Sequence, residues 1–308
     1  MPAYNARPFV EEAIRSVLTQ DYPNIELVVI DDGSSDGTPE LAEQYGHRVK
    51  VLRQQNAGPA AARNRGIAAA SGEFIAFLDA DDVWLPGKVA LQVQYLQDHP
   101  DVGVVFGAFV RWHCQPDGTF SAPLSASNTT CKEFSLVAEH SGWVYTALLF
   151  DNVIHIITAM IRRTVVEEVG NMNESLSTGE DYEFWLRVSQ QFRADKLART
   201  LAYYRMHAAS ITQVPRKENN EYKVLLQAIA AYGLKGPDGV AASKSSLRSR
   251  LFDLCFSHGY FHIRNGDPKV AQEAFSAALK YSPLKPKVWV YWLFAAVKCT
   301  QAERGTRP

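Results

Sequence analysis

Asp79-Ala80-Asp81-Asp82 closes an apolar, strand-like stretch. In an extended chain residues i and i+2 project to one side, so Asp79 and Asp81 are expected to converge. Two carboxylates held together repel unless a cation neutralises them, and hard oxygen ligands suit Mg²⁺ or Mn²⁺, which can also bridge phosphate oxygens. Asp31-Asp32-Gly33-Ser34 supplies a second acidic pair. A carboxylate there can accept from a base N–H or a ribose hydroxyl, while the glycine lets the backbone approach a ligand. The bland alternatives are a solvated acidic turn capping the following helix and an ordinary Asp/Gly turn.

Between the two pairs, the string 56–64 opens a helix after Gly58 and carries Arg63 on its second turn, where a guanidinium can reach a diphosphate or pair with an acidic neighbour. Further on, Gly179-Glu180-Asp181 precedes an amphipathic run. Acidic residues in a first helical turn commonly serve the helix dipole, yet a carboxylate placed beside a cleft also suits a general base. Arg205-Met206-His207 ends a strand-like stretch, and His207 is a candidate metal ligand or phosphate contact, weighed against a surface histidine.

These residues need a scaffold, and the alternation of periods predicts one. A helix starts near Pro8, and strand, helix, strand, helix, strand, helix and strand are expected over 25–30, 38 onward, 49–52 with 59–70, 73–78, 86–97 and 102–106. Repeated β-then-α units imply an α/β fold whose mostly parallel sheet binds ligands at the carboxyl ends of its strands, where both acidic pairs fall. Periodicity is lost over 107–150, read as a variable substrate-side segment. It resumes with an apolar run at 153–161, helices near 164–169 and 180–191, and a strand near 197–205. The expected division is a catalytic domain over 1–214 and an all-helical region over 215–308. Within the latter, Gly259, Ala271, Phe275, Ala278 and Pro283 have the spacing of one tetratricopeptide-type hairpin, a site for a protein partner or simply two packed helices.

A formal net charge of -1 makes nucleic acid a poor ligand. Cys114, Cys131, Cys255 and Cys299 are too scattered for a zinc site or a disulfide framework, which fits a reducing cytoplasm. No secretory signal opens the chain, and the longest apolar run, 288–297, is half the length of a membrane-spanning helix and reads as packed or interfacial.

The strings PAYN at 2–5, VVIDDGSSDGT at 28–38, NAGPAAARNRG at 56–66, GEFIAFLDADD at 72–82, GEDYEFWLRV at 179–188 and YRMH at 204–207 together resemble the family 2 inverting glycosyltransferases of the GT-A fold. The resemblance implies a nucleotide-diphosphate sugar donor, preferably a UDP-sugar, a glycan or lipid-linked acceptor, Mn²⁺ or Mg²⁺, and work in the cytoplasm or at the inner face of the membrane. It implies that Ala3 and Tyr4 lie at the base, that Asp32 accepts from the base, and that Arg63 and Asp79 contact the donor. Asp81 and His207 would hold the metal, Asp181 would be the general base, and Glu180 an acceptor-side contact. The Gln-x-x-Arg-Trp string of processive synthases does not follow Asp181, which implies addition of one sugar. Family members begin with an apolar strand ending at the string that here reads Met1 to Asn5, so that strand is expected to be encoded upstream of Met1. Two competing readings remain at this point. Asp79 also fits the nucleophile position of haloacid dehalogenase-like phosphatases, and the chain could be a non-catalytic adaptor with a degenerate transferase domain.

Overall fold

The run predicted as a strand at 25–30 forms β2, Leu27–Asp31, and all five of its residues are buried, as a strand covered on both faces requires. The computed structural model describes residues 1–115, 117, 119–120, 134–207, 210 and 214–305; Cys131 and part of the 107–150 segment lie outside them. In order, the described residues build β1 (Pro2–Ala3), α1 (Val10–Leu18), β2, α2 (Thr38–Glu43), β3 (Val49–Arg53), α3 (Pro59–Ala69), β4 (Phe74–Ala76), β5 (Val83–Trp84), α4 (Lys88–Asp98) and β6 (Val102–His113). Then follow α5 (Tyr145–Leu148), β7 (Met160–Arg162), α6 (Arg163–Val169), α7 (Glu180–Val188), β8 (Arg193–Met206), α8 (Asn220–Tyr232), α9 (Lys244–Asn265), α10 (Pro268–Tyr281) and α11 (Pro286–Gly305).

Strands β1, β2 and β3 form a parallel sheet in that order, and a second sheet runs β4-β7-β6-β8-β5. The second sheet is mixed: β6 and β8 are parallel, whereas β7 runs against both neighbours and β5 against β8. Helix α3 covers the first sheet, with Ala62 packed on Val28 and Ile30 and with Leu52, Ala69 and Ala70 at the margin. Two residues of β1 pair with Ile30 and Asp31 only. Beside it a cavity of about 340 Å³ is lined by Leu27 and Val28 of β2 and by Ile75 and Phe77 at β4.

Two strand boundaries differ from the sequence expectation, each for a physical reason. Strand β6 does not stop at Phe106 but continues to His113, because its outer half pairs with β8 as a ribbon from Ala108–Thr200 to His113–Met206. Residues there such as Val110 and Arg111 are exposed, so the apolar pattern that marks a buried strand is missing. The stretch 73–78 is a strand only to Ala76, and Asp79–Asp82 is a turn closed by the Asp82 N–H donating to the Asp79 carbonyl at 3.0 Å. The expected convergence of Asp79 and Asp81 from an extended i, i+2 spacing therefore has no extended chain to rest on.

The chain divides into two compact units, Met1–His207 with Gly236–Gly239, and Ala208–Lys235 with Val240–Pro308. In the second, α9 and α10 form a hairpin in which Ala271, Phe275 and Ala278 are fully buried, and Val288 and Ala295 of α11 close on the same core. The opposite side of the 288–297 run is not packed: Trp289, Val290, Leu293, Phe294 and Val297 are exposed. Among the described residues no helix is long and apolar enough to cross a membrane.

Candidate active site

The loop after β1 and the loop after β2 are stitched together. The Asp32 N–H donates to the Ala3 carbonyl at 2.8 Å, the Asn5 N–H to Ser34 Oγ, and the Ser35 N–H to Asn5 Oδ1. Ala3 is buried, while the Tyr4 ring next to it is 55% exposed and available for stacking. Asp32 is turned inward: Oδ1 accepts from Gln54 Nε2 and from the Ala57 N–H, and Oδ2 from the Gly58 N–H. Its carboxylate thereby holds the loop that starts α3, a use the sequence reading did not include.

Helix α3 delivers Arg63 into the middle of the site. Its Nη1 donates to Glu180 Oε1 at 2.5 Å and its Nη2 to Asp79 Oδ1 at 2.7 Å, so one guanidinium ties the turn after β4 to the first turn of α7. Burial works against the charge of Arg63, but Asp79 and Glu180 outweigh it and hold the group above its ordinary pKa. The neighbouring Asn64 fixes the same helix from its other side, donating to the Met172 carbonyl and accepting the Met172 N–H, both at 2.9 Å. Asn64 carries no role in the sequence pattern, because a buried amide bonded to a distant backbone leaves no mark in sequence spacing.

At the start of α7, Glu180 is buried and Asp181 partly accessible. Burial raises both carboxyls, with Arg63 pulling each back down. Asp181 Oδ1 accepts from the Tyr182 N–H at 2.8 Å, and its Oδ2 from Asn152 Nδ2 at 3.2 Å. His155, three residues on from Asn152, lies tilted against Phe109 with ring centroids 4.1 Å apart and is held neutral, its pKa pushed down to about 4 by burial. The sequence reading singled out neither, because both come from the segment after α5 that has no periodicity.

The remaining acids divide by burial. The Asp81 side chain is 29% exposed and its Oδ2 lies 3.0 Å from His207 Nε2, with the His207 ring also tilted against Phe9 at a centroid distance of 4.6 Å. Asp82 is fully buried, and its Oδ1 accepts the Arg205 N–H at 2.7 Å, which fastens the end of β8, and with it His207, to the acidic turn. Burial, then Asp81 and Asp79, push Asp82 well above the carboxylate range. Among the described residues no cluster of three or more His, Cys, Asp or Glu side chains closes round a metal by itself. The 3.0 Å between Asp81 Oδ2 and His207 Nε2 is a hydrogen-bond distance; two adjacent ligands of an octahedral ion with bonds of about 2.1 Å also stand about 3.0 Å apart, so the pair fits a metal without large movement.

Comparison with known proteins identifies the family. Residues 1–135 match the family described as Glycosyl transferase family 2. The chain is similar to TuaG of Bacillus subtilis, a glycosyltransferase whose name assigns it provisionally to teichuronic acid biosynthesis, at 30% identity over 217 residues, 68% of this chain and 79% of that protein. It is also similar to WfaP of Escherichia coli, a UDP-Glc:alpha-D-GlcNAc-diphosphoundecaprenol beta-1,3-glucosyltransferase, at 27% identity over 263 residues, 83% of this chain and 94% of WfaP. Among solved structures, the mannosyltransferase PcManGT from Pyrobaculum calidifontis in complex with GDP-Man and Mn²⁺ shares the fold with a TM-score of 0.58 at 21% identity, covering 96% of this chain and 84% of that one. The match takes in both acidic strings, whereas the phosphatase reading of Asp79 used only one, and that reading and the adaptor reading are set aside.

Proposed function

The chain belongs to glycosyl transferase family 2, and from that premise we propose that it transfers a single sugar, with inversion, from a UDP-sugar to a hydroxyl of a glycan or lipid-linked acceptor. The observation that carries this reading is the Arg63 clamp, which joins a donor-side carboxylate, Asp79, to the acceptor-side Glu180 next to Asp181. A one-step displacement needs donor and base in one fixed geometry, since prepaid orientation supplies much of the rate. In this reading Tyr4 stacks on the base, Ala3 and the loop held by Asp32 shape its pocket, and Asp79 meets the ribose. Among the described residues Arg63 Nε is buried without a hydrogen-bond partner.

Asp81 and His207 would hold the divalent ion, and the chemistry it would supply there is neutralisation of diphosphate charge. An imidazole ligand favours Mn²⁺ over Mg²⁺, whose preference is for oxygen. Asp181 takes the proton of the acceptor hydroxyl as that oxygen attacks the anomeric carbon from the side opposite the nucleotide; Glu180 is a neighbouring acceptor contact. The WfaP name, with its diphosphoundecaprenol acceptor, supports a lipid-linked acceptor; work at the inner face of the membrane and a protein partner for the second unit are parts of the same proposal. The test is nucleotide release from UDP- and GDP-sugars with Mn²⁺ and lipid-diphosphate sugar acceptors, with the product's anomeric configuration read by NMR. An inverted product from a UDP-sugar is expected; retention of configuration, or release from GDP-sugars only, contradicts the assignment.

A further inference from the structure

Asp181 is one of several charges packed at the site, and its neighbours are unequal in what they fix. Arg63 on α3 attracts it, Asp79 in the turn after β4 repels it, and Glu180 precedes it on α7. The neutral His155 lies on the same segment as Asn152. Among the described residues none of these four makes a hydrogen bond to the Asp181 carboxylate. The two donors that do are the Tyr182 N–H on Oδ1, which belongs to the helix itself, and Asn152 Nδ2 on Oδ2, which comes from 29 residues upstream.

The amide of Asn152 is oriented at a cost. With Nδ2 toward Asp181, its Oδ1 is buried without a hydrogen-bond partner. An orphaned buried carbonyl forfeits the hydrogen bonds it would make in water, so such a group calls for an explanation. Flipping the amide would set Oδ1 against the carboxylate, two acceptors facing each other, so the observed orientation is the one that serves Asp181. The segment is tied to α7 at a second point as well, by Tyr182 Oη donating to the Leu148 carbonyl at 2.5 Å. Turns closed by the Asp151 and Val153 N–H groups join Leu148 to Asn152. The anchor thus belongs to the segment as a whole, and its contact at the carboxylate is the Asn152 amide.

We propose that Asn152 is a positioning residue for the transfer reaction, its Nδ2 donating to Asp181 Oδ2 to fix the carboxylate's rotamer and keep it ionised for proton abstraction. The proposal rests on Asp181 being the base. A hydrogen bond to the ionised form favours that form, so removing it should make Asp181 easier to protonate.

The experiment compares wild type, Asn152→Ala and Asp181→Asn by two readouts that need no natural acceptor. One is the ¹³C-carboxyl NMR titration of Asp181, assigned by its loss in Asp181→Asn. The other is the pH profile of UDP release from a UDP-sugar with Mn²⁺ and water as acceptor. In Asn152→Ala the Asp181 titration and the acid limb of UDP release should both move up, by about half a unit or more, with UDP affinity unchanged. Below the limb that shift lowers UDP release roughly 3-fold or more. An Asp181 titration that stays in place overturns the proposal whatever the rate does. If instead Asp181→Asn releases UDP as fast as wild type, the base assignment itself is wrong and the proposal falls with it, an outcome told apart from the first by the moved titration.

Discussion

A buried guanidinium ordinarily loses its charge more easily than an exposed one, yet Arg63 is held charged by Asp79 and Glu180 at 2.7 and 2.5 Å. Its removal would leave two carboxylates, one of them buried, without their cation. Asp181 has the opposite problem: burial raises it, so less of it is available as a base at mildly acid pH. Activity should therefore fall with decreasing pH above the ordinary aspartate range, as the raised carboxyl takes up its proton. Asp181→Asn should cut turnover by roughly 10²-fold or more while UDP affinity stays the same, whereas a merely structural Asp181 would give near-normal turnover with a lower Tm. Asp82 supplies a stability counterpart. Its folded pKa is raised, so the ionised form costs stability at neutral pH and the cost is relieved as pH falls through that raised value. Asp82→Asn, which keeps an acceptor for the Arg205 N–H, should raise Tm at pH 7, with the gain shrinking as the pH is lowered in a series of melts.

At the scale of elements, the loops between strands and helices decide whether the donor pocket forms. Gly33 has φ +82°, and a Cβ there would stand 2.9 Å from the Asn56 backbone nitrogen, against the loop that Asp32 holds. Gly33→Ala should lower Tm and weaken UDP binding with Mn²⁺ by tenfold or more, since strain and backbone contact act together. Gly46 also has positive φ but nothing within 4 Å, so Gly46→Ala should cost only about 1 kcal/mol of stability and leave UDP binding alone; equal effects of the two on binding would contradict this account of the pocket. Much of this level was legible in the sequence. Buried strands such as β2 and Gly-then-Pro helix starts such as Gly58-Pro59 announce themselves by local chemistry. The outer ribbon of β6 and β8 and the turn of Asp79–Asp82 do not, because exposed pairing and turn geometry depend on partners about a hundred residues away or on a chain direction that composition does not encode. The site divides in the same way. Asp79, Asp81, Asp181 and His207 stood out by type and position, while Asn152, His155 and Asn64 act through contacts across the fold.

Over the whole molecule, two compact units imply that damage to the tail core need not reach the donor site. Gly259 of α9 lies where a Cβ would meet the Phe275 ring at 2.8 Å, so Gly259→Val should loosen the α9–α10 hairpin and lower the melting temperature of that unit. UDP binding with Mn²⁺ should persist in that variant; loss of both together would mean that the units do not stand independently. The central claim is that Met1–His207 holds a nucleotide diphosphate through a metal carried by Asp81 and His207. Calorimetric titration of UDP into the full chain, with and without Mn²⁺, and into Asp81→Asn with Mn²⁺, tests it most directly. The account predicts binding that depends on Mn²⁺ in the wild type and is lost or weakened at least tenfold in Asp81→Asn. UDP binding of equal strength in all three titrations, or none in any, would contradict it.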